Sequence, residues 1–239
     1  MTATPSPALA GGPGDPGGAA ASGVPGVSGT VAVVATTAEV LAHPSAEAGL
    51  LTPWEQARLA RIRLPHRRDD VTAARLLLRL CAAHVTGRPA RELSPSQHCP
   101  TCGRDGHGRP YLRDHPDLGV SLSHADGLVA AAVGPGPVGI DVEPSTRRPA
   151  PLRMLARVLP AADLRAATAH PDPGPELLRL WVRREARLKA GRDDLPLLEW
   201  TDPHRTATTA TTGPSPTRTP LATLPARDCP PHTPSPGHA

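Results

Sequence analysis

The sequence predicts an α+β domain, and three observations carry that expectation. Short β-branched or alternating runs recur along the chain, apolar residues spaced by three and four separate them, and Gly, Pro or Asp-Gly stands at the boundaries. The resulting order is β, α, α, β, β, β, α, α over about residues 30–200, with no internal sequence repeat.

Residues 30–37 (TVAVVATT) have the β-branched density of a first strand. Thr52-Pro53-Trp54-Glu55 opens a helix, with a Thr N-cap, Pro at the first helical position and Glu at the third. That helix carries Arg58 and Arg61 and ends before Pro65. A second helix is predicted over about 69–85, because Val71, Ala74, Leu77, Leu78 and Cys81 share one face and Gly87 stops it. Residues 88–110 read as a long loop of Pro, Gly, His and Cys. Residues 118–123 and 128–133 then read as two short strands joined through Asp126-Gly127, a strong hairpin signal. A Gly-Pro-Gly-Pro loop leads to a third strand, 138–142. Helical patterns return at 151–169 and 175–190, the last opened by Pro175-Glu176 and closed by Gly191.

The ends differ in composition. Residues 1–29 form a Gly/Pro/Ala-rich arm and residues 201–239 a Thr/Pro-rich tail whose large aliphatic side chains are Leu221 and Leu224. Both are predicted to be disordered, since neither carries enough apolar surface to offset the entropy of ordering. No apolar run reaches the length of a membrane span, and no basic and apolar leader opens the chain, so a cytoplasmic protein without membrane contact is expected. Of the 26 basic residues, 25 are Arg and Lys189 is the lone Lys; Phe and Asn are absent. The missing residue types have AT-rich codons, so the arginine excess reflects coding bias and says little about nucleic acid. The rare Lys189 gains interest for the same reason.

Four short constellations carry chemistry. In Gly139-Ile140-Asp141-Val142-Glu143 the two carboxylates share one face of a strand, where they repel unless a cation lies between them. Oxygen-only ligands favour Mg²⁺; a strand end emerging into solvent is the alternative. In Trp181–Lys189 the residues Trp181, Glu185 and Lys189 line one helical stripe, with Arg184 beside them. Ser121-Leu122-Ser123-His124 ends a strand, and Gly108-Arg109-Pro110-Tyr111 puts a cation in a turn.

Their order along the chain resembles the motif series of the Sfp-type 4′-phosphopantetheinyl transferases, over about residues 30–192. The resemblance implies a fold of two pseudo-symmetric α/β halves, here about 30–137 and 138–200. It implies that Asp141, Glu143 and Glu185 match acidic Mg²⁺ ligands and that Lys189 matches the lysine on the pyrophosphate of coenzyme A. His124 matches a histidine on a coenzyme A phosphate; Arg109, with Pro110 and Ser123, lies where the family binds the nucleotide. Arg58 and Arg75 are placed as cations near the 3′-phosphate. Glu185, Lys189 and His124 are the implied catalytic groups. The implied reaction moves phosphopantetheine from coenzyme A to a serine of an apo acyl- or peptidyl-carrier protein, releasing adenosine 3′,5′-bisphosphate, as in polyketide or nonribosomal peptide biosynthesis. A monomer acting on carrier domains is expected.

Two features depart from that pattern. The family continues with further strands after the helical Lys motif, and the Thr/Pro tail shows none, so the second half is expected to be incomplete, and a catalytically impaired relative is an alternative to the active transferase. Cys99-Pro100-Thr101-Cys102, flanked by His98 and His107, offers four zinc ligands in one short loop. Structural zinc sites usually draw on more separated segments, so a reduced turn with idle thiols is the preferred reading. A basic nucleic-acid-binding module is the remaining alternative, set against by the lack of an aromatic stacking platform.

Overall fold

The computed structural model describes residues 28–99 and 101–226. The expected disorder of residues 1–27 and 227–239 lies outside the described residues. Strand β1 (Thr30–Thr36) leads into a short helix, α1 (Thr37–Leu41), then α2 (Pro53–Ala60) and the long α3 (Pro65–Thr86). A small hairpin, β2 (Pro95–His98) and β3 (Arg109–Leu112), precedes the larger hairpin β4 (Leu118–Ala125) and β5 (Leu128–Pro135). The chain continues as β6 (Gly139–Pro144), α4 (Leu152–Leu155), α5 (Ala161–Thr168), α6 (Pro173–Ala190), β7 (Leu197–Asp202), β8 (Ala207–Thr212) and β9 (Pro216–Arg218). The fold is α+β, as the period changes along the sequence require.

The strands form a six-stranded sheet, β2-β3-β4-β5-β1-β9, and a three-stranded sheet, β6-β8-β7. Alternation along β1 sends Val33 and Ala35 towards α3, where they join Leu77, Leu80 and Val129. Ala32 and Val34 face the other way and meet Ile140, Val142 and Ala207 of the small sheet. The central strands are therefore buried on both faces, and the small side chains Ala130 and Ala132 allow the sheets to approach closely.

The two halves share one plan. In the first, a strand (β1), a long helix (α3) and a hairpin (β4–β5) assemble in the order β4-β5-β1; in the second, β6, α6 and β7–β8 assemble as β7-β8-β6, with antiparallel pairing throughout. Strands β7, β8 and β9 occupy much of 197–218, which corrects the expectation of missing strands and, over residues 201–226, of a disordered tail. β8 is Ala-Thr-Thr-Ala-Thr-Thr with every residue buried, and it pairs with β6 on one side and β7 on the other. Threonine works here because its β-branched carbon suits a strand and, at two of the four positions, its hydroxyl donates to a nearby carbonyl, while the buried Thr209 Oγ1 has no partner. Thr211 Oγ1 donates to the Gly139 carbonyl at 3.0 Å and Thr212 Oγ1 to the Pro196 carbonyl at 2.8 Å. The loop after β7 is held by buried Asp202, which accepts from Arg205 and Arg218, while Arg205 also reaches Glu39 of α1 at 2.6 Å.

Smaller differences have local causes. Helix α3 starts four residues before the predicted position because Pro65 takes the first helical site, where its missing N–H costs nothing. The 151–169 segment breaks into α4 and α5 at Pro160. The long loop contains the β2–β3 hairpin, which no alternation announces.

Candidate functional site

The candidate site sits where the two sheets meet. Gly139 brings α6 down onto β6: a Cβ at this position would collide with the Ala186 carbonyl oxygen. Lys189 and Glu185, on the same helix, are thereby set against the strand. Gly139→Ala is expected to cost about 1–3 kcal/mol through overpacking, read as a lower denaturation midpoint; an unchanged midpoint would show that the helix yields freely.

Asp141 is the hub. It is 5% exposed, and its Oδ1 accepts from Lys189 Nζ at 2.7 Å and from Ser123 Oγ at 2.8 Å. Lys189 Nζ also donates to the Ile140 carbonyl at 3.0 Å, and the Ile140 amide donates to Ser121 Oγ at 3.1 Å. These bonds tie β4, β6 and α6 together. The second oxygen, Asp141 Oδ2, is buried and has no partner. A carboxylate oxygen left in this state costs free energy unless something positive or protic meets it.

Glu143 is buried two residues further on the same strand face, and its Oε2 accepts from Arg147 Nη1. Burial raises its carboxyl above the ordinary range, the charge of Asp141 adds to this, and Arg147 and the Trp181 side chain oppose it. Half-buried Glu185 is likewise raised, first by burial and then by Asp141, against the pull of Lys189 and Arg184. Both glutamates therefore feel Asp141 as a neighbouring negative charge. The three carboxylates are spread too widely to lie within 4.8 Å of one another. Their all-oxygen character, mutual repulsion and the orphaned Oδ2 fit a hard divalent cation.

A cleft of about 710 Å³ opens beside this hub, lined by Gln97, Gly108, Arg109, Pro110, Ser121, Leu122, Leu188 and Lys189. Arg109 projects from β3 across to the end of α6, where a Cβ on Gly191 would strike its guanidinium. Lys189 thus faces both the carboxylates and the cleft.

The remaining cations have different surroundings. Arg58 is exposed and donates to the Gly106 carbonyl at 2.8 Å. Arg75 is 7% exposed; it donates to Glu55 Oε1 at 2.8 Å and to Gln97 Oε1 at 3.2 Å, and it lies over the Trp54 ring at 4.7 Å. Its charge is committed to Glu55, and it bears on the cleft through Gln97, whose Nε2 donates to the Gly108 carbonyl at 3.0 Å. His124, at the solvent-facing end of β4, has its pKa lowered first by the desolvation of its ring. Asp70 opposes this, and Lys189, Arg75 and Arg58 reinforce it. One imidazole therefore lies in the field of all three cations. Arg184 pairs with Asp193 at 3.1 Å.

Two contributors escaped sequence reading, and a third, Ser121, was named in a motif without a role of its own. Gln97 sits in a segment taken as loop, Glu55 was assigned only to a cap, and Ser121 gains meaning only when β6 is placed beside β4. No sequence signal marks Gln97; a Glu at the third helical position marks Glu55 only as a cap.

This arrangement defines a class: an enzyme-like α+β fold whose paired halves meet at a carboxylate–lysine hub beside a cleft lined by the cations Arg109 and Lys189. Residues 137–229 match the family model of the 4′-phosphopantetheinyl transferase superfamily. Over 87 residues the chain is 32% identical to the 4′-phosphopantetheinyl transferase psf-1 of Bacillus pumilus, covering 36% of each chain. Over 126 residues it is 28% identical to a 4′-phosphopantetheinyl transferase of Bacillus subtilis, covering 51% of each. The matched part thus spans about half or less of these curated relatives. Over these stretches the chain is similar to 4′-phosphopantetheinyl transferases. Among the described residues, no helix is long and apolar enough to cross a membrane.

Proposed function

We propose that this protein transfers 4′-phosphopantetheine from coenzyme A to a serine of an apo acyl- or peptidyl-carrier protein, with release of adenosine 3′,5′-bisphosphate. The observation that carries the reading is Asp141, buried at the sheet junction with Lys189 on one oxygen, no partner on the other, and the cleft alongside. Asp141, Glu143 and Glu185 would hold Mg²⁺. When bound, the ion would supply positive charge to a pyrophosphate that gains charge as it is cleaved.

The chain's own residues account for the rest. Lys189 and Arg109 line the cleft and present cations to phosphate oxygens, where fixed positive charge stabilises the leaving group. Pro110 shapes the wall beside Arg109, and Ser123 holds the Asp141 oxygen that Lys189 shares. His124 and Arg58 flank the outer end of the site, and Arg75 positions Gln97. Glu185, whose raised pKa makes it a better proton acceptor than an ordinary glutamate, takes the proton of the attacking serine. Carrier domains of acidic character suit the net charge of +4.

The test is direct: full chain, coenzyme A, Mg²⁺ and an apo carrier protein, with the carrier's mass read before and after. A gain of one phosphopantetheine arm and an equal yield of adenosine bisphosphate are expected, and chelation of Mg²⁺ should stop both. Asp141→Asn should lower turnover by about 10²–10³-fold, the usual loss when one preorganised electrostatic contact is removed, with circular dichroism unchanged. Wild-type turnover in Asp141→Asn at saturating Mg²⁺ would refute its role. Lys189→Ala is expected to fall by a similar factor.

A further inference from the structure

We propose that Cys99, Cys102 and His107 form a zinc site that clips the β2–β3 hairpin shut. The sequence alone favours idle thiols here, and the geometry reverses that preference. One ligand atom from each of the three residues lies within 4.8 Å of the others, and Cys102 Sγ is 3.1 Å from His107 Nε2. Zinc–sulfur bonds of about 2.3 Å and zinc–nitrogen bonds of about 2.0 Å place neighbouring tetrahedral ligands roughly 3.3–3.8 Å apart. The three atoms are thus gathered at nearly the spacing that one ion requires.

The backbone shapes this turn for thiolates. The Gly103 amide donates to the Cys99 carbonyl at 2.8 Å, and Gly103 turns the chain in the left-handed region at φ +66°. The Thr101 and Cys102 amides donate to the Cys99 sulfur. The Cys99 amide donates to the Arg104 carbonyl at 3.0 Å. Gly106 and Gly108, also at positive φ, bring His107 back over the turn, and the Gly106 amide donates to the Gln97 carbonyl at 3.0 Å. His98, which sequence spacing offers as a ligand, is turned away: its Nδ1 meets Asp105 Oδ1 at 2.9 Å. Three protein ligands leave the fourth tetrahedral position to water. Two soft thiolates and an imidazole select zinc over the hard cations that suit the carboxylates.

The site shares no residue with the carboxylate hub, and the proposal does not depend on the transferase reading. It does bear on the cleft. Gly106 rests against the Trp54 ring and accepts from Arg58, and Gly108 is followed directly by Arg109 and Pro110 in the cleft wall. Closing the loop between Cys99 and His107 therefore fixes the wall that presents Arg109.

The experiment uses the full chain, purified in reductant without a metal-binding tag or chelator, with zinc measured by plasma mass spectrometry. One zinc per chain is expected. After removal of the zinc, Co²⁺ should restore a thiolate-to-cobalt charge-transfer band and the visible bands of a tetrahedral site. Cys99→Ser with Cys102→Ser should bind neither metal at this site, and His107→Ala should bind at least tenfold more weakly. His98→Ala and Asp141→Asn should bind as the wild type does. A wild-type chain that retains no zinc and gives no cobalt–thiolate band would overturn the proposal. So would unchanged binding in the double serine variant, or a Cys99–Cys102 disulfide in the chain isolated under reducing conditions.

Discussion

Ending the chain before Thr201 will leave no cooperatively folded protein. The cut removes β8, which lies between β6 and β7 and is hydrogen-bonded to both. Ala207, Thr209, Ala210, Thr211 and Thr212 are all fully buried in the intact fold. Without β8, Val182 and Ala186 of α6 lose Ala210, the residue that completes their cluster. β6 would also lose every ladder bond of its pairing, and unpaired buried backbone groups each cost free energy on the scale of a lost hydrogen bond. Thermal unfolding followed by circular dichroism, together with limited proteolysis, reads the outcome. A truncated chain that still melted cooperatively near the parent midpoint would show that the small sheet is not needed to hold α6.

Replacing Glu55 by Ala is expected to destabilise the protein by about 3–5 kcal/mol, the usual loss when one partner of a buried ion pair is removed. Against a total stability of about 5–15 kcal/mol, that is a severe change. Glu55 is fully buried and binds Arg79 Nη2 at 2.6 Å and Arg75 Nη1 at 2.8 Å, with the Thr52 amide at 2.8 Å. Its removal strands two guanidiniums inside the domain, Arg79 at 1% exposure and Arg75 at 7%. Burial raises the Glu55 pKa, but the two arginines and the Thr52 amide outweigh it, so the carboxyl titrates below its ordinary value. A depressed folded pKa contributes stability in full above the unfolded value, about 4.3 for Glu. That stability is lost as pH falls below this value towards the folded pKa. Urea titrations at neutral pH and down through this acid range should therefore show a steep loss in the parent and a flatter one in Glu55→Gln. A loss below about 1 kcal/mol in Glu55→Ala would place this triad among weak surface pairs instead.

What could be read in advance follows from how local each signal is. The Asp126-Gly127 turn was legible because both residues need positive φ, and they adopt +43° and +87°. The Thr52-Pro53 start and the Gly87 and Gly191 stops were legible for the same kind of reason. β8 was not, because counting threonine as a polar tail residue hides that its methyl packs between two strands and that Thr211 and Thr212 find carbonyl acceptors there. At the site, the rare Lys189 and the paired Asp141 and Glu143 stood out as residue types at a spacing, and the structure brings Lys189 onto Asp141. The commitment of Arg75 to Glu55 was hidden, since no local pattern tells a ligand-facing arginine from one held by an acid twenty residues earlier. Gln97 was hidden too, because its role exists only once α3 and the β2–β3 hairpin are in contact.

The parallel pairing of β9 with β1 has a consequence for how the protein is made. Val31 sits opposite Thr217, so β1 receives this neighbour about 190 residues after it leaves the ribosome. At a synthesis rate of about 5–20 residues per second, that wait lasts roughly 10–40 s. Throughout it, β1 offers a seven-residue, β-branched edge to any other nascent chain. β9 is three residues long, a short edge that gives a second copy little to pair with. β9 covers Thr30, Val31 and Ala32 of that edge, so slow translation over residues 136–215 should lower soluble yield more than an equal delay after residue 218.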